Sequence, residues 1–166
     1  MQNLDNWEVS SVNAALAKEI QTWAYPGQYS FYNPDNSSET FSELTDGSYY
    51  AIVDKFQKEI IGYFCLGSNA QVKVSDDDVT YSDTSFIDLG LGLKPTLCDK
   101  GLGIKFLDYC IHYIKDALQF KFLRLTVAEF NQRAIKIYRR QGFVEASCID
   151  KRIGGKPYRF IVMHLH

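Results

Sequence analysis

The sequence has no long apolar run, and this absence excludes membrane-spanning proteins of the helical type. Among its 166 residues, no hydrophobic stretch approaches the ~18 residues that a helix needs to cross a bilayer. The opening segment MQNLDNWEVS is polar and lacks the basic-then-apolar order of a signal peptide. We therefore expect a cytoplasmic protein that has no membrane partner.

Excess charge of one sign and metal-binding motifs are also missing. The formal net charge of −2 gives no electrostatic basis for nucleic acid as a main partner. The four cysteines include no CxxC pair and the three histidines form no ligand cluster, so we expect free thiols and no metal. There is no internal repeat or low-complexity linker, so this length predicts one domain over residues 1–166.

The elements that are present predict a mixed α/β fold. Apolar spacing predicts a first helix within Val9–Trp23, capped at Ser10 or Ser11, and a short second helix within Asn36–Leu44. A hairpin, a long acidic loop with a fragment of strand, two strand–helix units and a C-terminal hairpin should follow, at residues 48–66, 67–85, 85–118, 122–141 and 144–165. This order indicates a mixed sheet with helices on both faces.

A glycine-rich turn leads into the helix of the first strand–helix unit. Leu93-Lys94-Pro95 should end the strand, because a residue before proline avoids the helical region and proline breaks pairing. Cys98–Gly103 then opens a helix, whose N-terminus offers N–H groups and a positive dipole end to an anion. A pyrophosphate suits such a turn. The alternative is a plain loop in which Gly101 and Gly103 satisfy the turn geometry.

The strand before that turn carries two glycines and one acidic residue on the same face. Alternation along Phe86–Leu93 puts Asp88, Gly90 and Gly92 together. Glycines inside a strand mark a bulge, close approach by a ligand, or room for an aromatic ring. The Asp88 carboxylate could accept a proton from an attacking ammonium group, bind a substrate amine, or be structural. Glu129 is the second candidate base, since it follows the next strand at the same end of the sheet.

The most specific pattern lies in the second strand–helix unit, in the segment Leu123–Phe143. Its residues read as a cap, core positions and a tyrosine before Gly-Phe: Asn131, Ala134, Ile135, Ile137, Tyr138, Gly142 and Phe143. Taken alone, these residues describe an N-capped helix with a packed tyrosine. Together with the glycine turn, they closely resemble the two core motifs of the GNAT superfamily of acyl-CoA-dependent N-acyltransferases. In the glycine turn, the family's pattern is Arg or Gln, two residues, Gly, one residue, and then Gly or Ala. Here this pattern falls on Cys98, Gly101 and Gly103, so both glycines are kept and Cys98 departs from Arg or Gln.

The resemblance implies a GNAT-type fold, with a central mixed, mostly antiparallel sheet that contains a splayed parallel strand pair. It implies that acetyl-CoA binds at the strand end, the turn and the two helices, through Leu91, Gly92, Leu93, Cys98, Asp99, Lys100, Gly101, Leu102, Gly103, Ile104, Asn131 and Tyr138. Backbone amides of Leu91 or Gly92 would polarise the thioester carbonyl. Tyr138 would protonate the departing thiolate, since a phenol with a pKa of ~10 keeps its proton at neutral pH.

The implied activity is transfer of an acetyl (acyl) group from acetyl-CoA to a primary amine by direct attack, without a metal. The partner would be an amine-bearing small molecule or peptide, and the protein a monomer or homodimer. Two groups of residues favour a cationic acceptor. Aromatic residues follow the first helix and could attract a cation, unless they simply pack: Trp23, Tyr25, Tyr29, Phe31 and Tyr32. Acidic residues lie in the long loop and could draw in positive charge, unless they form a solvated turn: Asp76, Asp77, Asp78 and Asp83.

Two other functions are compatible with parts of the sequence. A catalytically idle acyl-CoA-binding sensor or interaction domain is favoured by Cys98 and disfavoured by Tyr138. A nucleotide-binding α/β protein is the poorer match, because GLGLKP and KGLG straddle a proline and do not form a continuous GxGxxG turn.

Overall fold

The computed structural model describes residues 4–166, so Met1–Asn3 of the polar opening segment lie outside the described residues. The described chain contains seven strands and four α-helices, namely β1 (Trp7–Ser11), α1 (Ala14–Gln21), α2 (Ser38–Leu44), β2 (Tyr49–Asp54), β3 (Ile60–Leu66), β4 (Phe86–Leu93), α3 (Gly103–Asp116), β5 (Phe122–Ala128), α4 (Gln132–Arg140), β6 (Val144–Ile153) and β7 (Lys156–Leu165). Short 3₁₀ helices lie at Leu4–Asn6, Gly27–Tyr32, Ser68–Ala70 and Pro95–Leu97. None of the helices in residues 4–166 is long and apolar enough to cross a bilayer.

The seven strands form one sheet in the order β1-β2-β3-β4-β5-β7-β6. β4 and β5 run parallel, with Phe86–Asp88 opposite Phe122–Arg124 at the start of both strands. The pairs β1–β2, β2–β3, β5–β7 and β6–β7 are antiparallel. The predicted mixed, mostly antiparallel sheet with one parallel pair is confirmed, and the splaying of that pair stays a prediction.

The chain divides into two compact units. Of the described residues, the first comprises 4–65 and 91–109, and the second comprises 66–90 and 110–166. Strand β4 and helix α3 each continue through a boundary between the units, at residues 90/91 and 109/110. A single domain over residues 1–166 stays a prediction.

In the first unit, two short helices and the strands β2 and β3 contribute to one apolar core. The core residues come from α1, α2, β2, β3 and the segments that flank α1, namely Val12, Ala17, Ile20, Trp23, Leu44, Ala51, Val53 and Ile60. Helix α2 begins as predicted, because the Ser37 hydroxyl accepts a hydrogen bond from the Thr40 N–H at 3.1 Å. The predicted hairpin of β2 and β3 is also confirmed.

The start of the predicted first helix is wrong. Val9 and its neighbours form β1, which pairs with β2 in the register Val9↔Ile52. Helix α1 begins only at Ala14, and its N-cap is Asn13, whose side chain accepts from the Leu16 N–H at 2.9 Å. Neither Ser10 nor Ser11 caps it. Pairing with β2, which lies about 40 positions further along the chain, outweighs the local helical spacing, because that spacing carries no information about a distant partner.

The second unit contains β5, α4 and the hairpin of β6 and β7, all where the sequence predicts them. Strand β5 is buried along most of its length because it lies between β4 and β7. The predicted fragment of strand in the acidic loop is wrong, since residues 67–85 contain turns, bends, irregular segments and the 3₁₀ helix Ser68–Ala70 but no strand. Side chains take the place of strand partners there: the Val72 N–H donates to the Tyr81 hydroxyl at 3.0 Å.

Candidate active site

The end of β4 packs against an aromatic ring. A Cβ placed on Gly92 would lie 2.4 Å from ring atoms of Tyr63, and one on Gly62 of β3 would lie 2.6 Å from the Phe106 ring. Both distances are far below a normal contact, so neither position accepts a side chain. For Gly92, the structure supports the alternative that glycine makes room for an aromatic ring. The backbone N–H of Gly92 stays a candidate oxyanion donor, because the ring occupies only the place of a side chain.

Two hydrogen bonds hold the peptide group that closes β4, and an ion pair holds the Lys94 side chain. The Leu93 carbonyl accepts a hydrogen bond from the Tyr25 hydroxyl at 2.8 Å, and the Lys94 N–H donates to the Ile61 carbonyl at 2.9 Å. The Lys94 ammonium lies 3.3 Å from a carboxylate oxygen of Glu19 on α1. A ligand that contacts Leu93 would therefore use its N–H, or share a carbonyl oxygen that already accepts from Tyr25.

The glycine-rich turn has the backbone shape that its sequence predicts. After the 3₁₀ helix Pro95–Leu97, the Cys98 N–H donates to the Pro95 carbonyl at 3.2 Å. Asp99 and Gly101 then adopt left-handed conformations, with φ of +59° and +73°. Gly101 is exposed, and a Cβ there would have no atom within 4 Å. Space for a ligand is thus open beside Gly101, whose φ favours glycine.

Helix α3 begins directly after the turn, at Gly103. The buried Leu102 precedes it, and the Leu102 carbonyl accepts the helical hydrogen bond from the Phe106 N–H at 2.8 Å. The N–H groups in the first turn of a helix have no intrahelical partner and lie at the positive end of its dipole. The predicted anion-binding residues Cys98–Ile104 therefore form one continuous turn and helix start. The Cys98 thiol is directed to the backbone, 3.7 Å from the Lys94 carbonyl, while Lys100 is exposed.

Helix α4 has well-defined caps at both ends. The Asn131 side chain accepts from the Ala134 N–H at 3.3 Å, which confirms the predicted N-cap. At the other end, the Gly142 N–H donates to the Arg139 carbonyl and the Phe143 N–H donates to the Tyr138 carbonyl, both at 3.0 Å. With Gly142 at φ +97°, these bonds form a Schellman motif.

Tyr138 has a structural contact in addition to its predicted role. Its ring centroid lies 5.9 Å from that of Phe143, the apolar contact that accompanies a Schellman motif. The packed-tyrosine reading of the sequence pattern is therefore correct. Packing of the ring does not decide what the hydroxyl does, so the acid role stays a prediction.

Asp88, the first candidate base, lies in a buried ion pair that the sequence does not predict. It is buried, and it forms a two-pronged ion pair with Arg124: Nε lies 2.6 Å from Oδ1 and Nη2 lies 2.8 Å from Oδ2. The Gln71 amide also donates to Oδ2 at 2.8 Å. Each carboxylate oxygen thus accepts from at least one donor. This geometry favours the structural-carboxylate alternative, and a role for Asp88 as base stays untested.

Arg124 organises the loop that precedes β4. Its Nη1 donates to the carbonyls of Thr80 and Asp83, at 3.4 and 3.2 Å, and its guanidinium lies 5.1 Å from the centroid of Tyr81. Hydrogen bonding to Asp88 raises the pKa of Arg124, and burial raises the pKa of Tyr81. Sequence reasoning missed Arg124. A signal was present: it is the one charged residue in the otherwise apolar FLRLTVA strand.

Glu129, the second candidate base, is exposed at the end of β5. Its N–H donates to the Arg159 carbonyl at 2.8 Å, and its carboxylate lies 3.9 Å from the Arg159 guanidinium. That guanidinium bonds more closely to Asp150, at 2.8 Å, which lowers the pKa of Asp150. Glu129 is therefore accessible and only loosely paired. Among residues 4–166, no three His, Cys, Asp or Glu side chains are grouped to hold a metal ion.

Solved structures with the same architecture come from acetyltransferases. A GNAT-family acetyltransferase from Bacillus anthracis aligns with a TM-score of 0.70 at 10% identity, covering 96% of this chain and 94% of that one. A chimeric spermidine N-acetyltransferase from Vibrio cholerae SpeG and hSSAT aligns at 0.71 and 19% identity, covering 96% and 95%. A protein assigned as a phosphinothricin N-acetyltransferase aligns at 0.70 and 13% identity, covering 95% and 96%. At these identities the likeness shows the fold alone.

Sequence comparison identifies the family. No curated protein sequence matches this chain significantly. The model of the acetyltransferase (GNAT) family, however, matches residues 15–143, which include the glycine-rich turn and all of the segment Leu123–Phe143. Because that match extends over more than half of the 166 residues, the chain belongs to the GNAT acetyltransferase family.

Proposed function

We propose that this protein transfers an acetyl group from acetyl-CoA to a primary amine of a small molecule or peptide. Family membership supports acetyl transfer in general. The observation that carries the proposal is the turn at Gly101, where a left-handed glycine with open space beside it leads into the start of α3. Of the solved structures above, one is a spermidine N-acetyltransferase and another is assigned to phosphinothricin, which is consistent with an amine acceptor.

The residues of the turn fit the phosphates of acetyl-CoA. Gly101 leaves room where a side chain would stand, and the first N–H groups of α3 follow within two residues. These groups would hold the pyrophosphate, with Lys100 as an additional exposed positive charge. Cys98 would contribute through its backbone, since its thiol is directed to the carbonyls of Leu93 and Lys94. When bound, acetyl-CoA supplies the thioester acyl group and a thiolate leaving group.

The chain's own groups would then assist direct attack by a neutral amine. The N–H of Leu91 or Gly92 would donate to the carbonyl oxygen as negative charge develops on it. Tyr138 would donate its phenolic proton to the leaving sulfur, an assignment that rests on its register in the family motif. Asn131 would contact the coenzyme arm in addition to capping α4.

The base that accepts the proton from the ammonium form of the acceptor is the least determined part of the proposal. Glu129 is exposed and could accept the proton directly or through water. Asp88 is buried in its pair with Arg124, so we assign it to the support of β4 and the preceding loop. Neither assignment affects the proposed donor or the proposed acceptor class.

A two-stage assay tests the proposal. Calorimetry with acetyl-CoA measures binding, and release of free thiol with a panel of primary amines measures transfer. Binding with turnover on at least one amine is the expected result. Binding without turnover on any amine would favour the second candidate, an acyl-CoA-binding sensor, for which Cys98 in place of the family's Arg or Gln is the supporting observation. Absence of acetyl-CoA binding would contradict both.

A further inference from the structure

Trp23 carries a buried hydrogen-bond donor that the described chain does not satisfy. The residue is 6% exposed, and no group in residues 4–166 accepts a hydrogen bond from the indole Nε1–H. A buried N–H without an acceptor is unfavourable and rare in native proteins. An acceptor is therefore expected from outside the described chain, either from an ordered water or from a ligand.

The position of Trp23 points to a ligand at the reaction site. Its indole stacks on Tyr63, with ring centroids 5.8 Å apart and planes at 25°, and the Tyr63 ring fills the space beside Gly92. Trp23 is thus one aromatic layer away from the β4 segment proposed to hold the thioester. Tyr25, two residues later, bonds to the Leu93 carbonyl of the same strand. All of these residues belong to the first unit.

Trp7 provides a comparison within the same unit. Its indole N–H also lacks an acceptor in the described chain. The Trp7 ring, however, is edge-to-face with Phe106 and Tyr109, at 66° and 75°, an arrangement that permits an N–H to contact a π face. The near-parallel stack of Trp23 on Tyr63 excludes that contact with Tyr63. The two tryptophans therefore differ in how their N–H groups can be satisfied.

The chemistry of the ligand follows from the donor. An indole N–H only donates, so its partner must carry a lone pair, which an ammonium group does not have. Burial raises the pKa values of Tyr63 and Tyr49, so these surroundings disfavour charge. Glu43 also raises the pKa of Tyr49, and Glu19 on α1 is paired with Lys94. A neutral oxygen suits the site better than a carboxylate or a second ammonium.

We propose that Trp23 is a specificity-determining residue whose Nε1–H donates to a neutral hydroxyl or carbonyl oxygen adjacent to the reacting amine of the acceptor. This inference rests on the proposed function and narrows its acceptor to amino alcohols and α-amino amides, including peptide N-termini. It differs from the cation-attracting role that the sequence predicts for Trp23, because one face of the Trp23 ring is stacked on Tyr63 and cannot receive a cation.

Paired acceptors that differ mainly by the oxygen test the proposal kinetically. Ethanolamine and glycinamide, which carry an oxygen near the amine, are each compared with propylamine, which carries none. Putrescine represents the polyamines. The ratio of kcat/KM within each pair is measured for the wild type and for Trp23→Phe, which keeps a ring and removes the N–H. Comparing the two proteins cancels differences in intrinsic amine reactivity. Loss of one hydrogen bond should lower the preference for the oxygen-bearing amine by about tenfold.

Trp7→Phe is the matched control, since it makes the same change at the other buried indole and should leave the ratios unchanged. Because the chain has two tryptophans, each variant also assigns one indole N–H resonance in a ¹⁵N–¹H spectrum. With coenzyme A present, ethanolamine or glycinamide should shift the Trp23 resonance and leave the Trp7 resonance in place. This readout does not require turnover.

The outcomes separate the two proposals. Equal ratios in wild type and Trp23→Phe, or a Trp23 resonance that does not respond to either oxygen-bearing amine, would show that water satisfies the N–H and would overturn the inference. Putrescine as the best substrate, unaffected by Trp23→Phe, would also overturn it. Failure of the proposed function is distinct, since it appears as absent acetyl-CoA binding or absent acetyl transfer to every amine.

Discussion

Neutralising Asp88 should destabilise the protein strongly, because it leaves a buried guanidinium without its counter-charge. The side chains of Arg124 and Asp88 are 2% and 6% exposed, and two short hydrogen bonds join them. Asp88→Asn keeps the size of the side chain and removes its charge. Breaking a buried pair from one side costs about 3–5 kcal/mol. For a chain of this length, that corresponds to a fall in Tm of about 6–20 °C.

A double variant separates a structural Asp88 from a catalytic one. Asp88→Leu with Arg124→Met removes both charges, and such replacements are often neutral or stabilising. The carbonyls of Thr80 and Asp83 and the amide of Gln71 lose partners, so we expect most, not all, of the lost Tm to return. If Asp88 is structural, acetyl transfer returns with stability. If it is the base, the double variant is stable and inactive.

The assay is thermal unfolding combined with thiol release at a temperature where every variant is folded. Arg124→Met alone is the control for the second partner, and it should destabilise because the Asp88 carboxylate then keeps only Gln71 as its donor among the contacts described above. An Asp88→Asn variant with unchanged Tm and abolished turnover would refute the reasoning. It would place Asp88 in the reaction and not in the support of β4.

The remaining predictions concern the turn, the acid and one histidine. Gly101→Glu and Gly101→Gln both place a side chain at φ +73°, which costs about 1–2 kcal/mol, but only Glu adds negative charge. Acetyl-CoA should therefore bind the Glu variant about tenfold or more weakly than the Gln variant. Equal Kd values by calorimetry would contradict the phosphate site. Tyr138→Phe should lower turnover by about 10²-fold or more at unchanged acetyl-CoA affinity, whereas unchanged turnover would leave the tyrosine with packing alone. The pKa of His164 is lowered by burial, and then by Arg124 and His166, so the unfolded chain binds more protons. The contribution of neutral His164 to folding stability is therefore complete above pH ~6.5 and is lost as the pH falls below that value. His164→Gln should make Tm fall less between pH 7 and pH 5. An unchanged slope of Tm against pH would refute the assignment.

Local features of the sequence determined the elements that depend on neighbours along the chain. Asn131 at the start of α4 and Gly142 after its end act within one helical turn, so the pattern alone predicts both caps. The turn at Gly101 and the hairpin of β6 and β7 are local in the same sense. The GNAT resemblance rested on the glycine-rich turn and the segment Leu123–Phe143, and the family match extends across both.

Tertiary structure decided the features that join distant residues. Strand β1 exists because Trp7–Ser11 pairs with Tyr50–Asp54, whereas its own spacing resembles a helix. Asp88 and Arg124 are 36 positions apart and meet because parallel β4 and β5 place them opposite each other. Position 92 must be glycine because the Tyr63 ring occupies the place where a side chain would stand. A periodic pattern records which face of an element is apolar, but it carries no information on which distant side chain will occupy the space opposite that face.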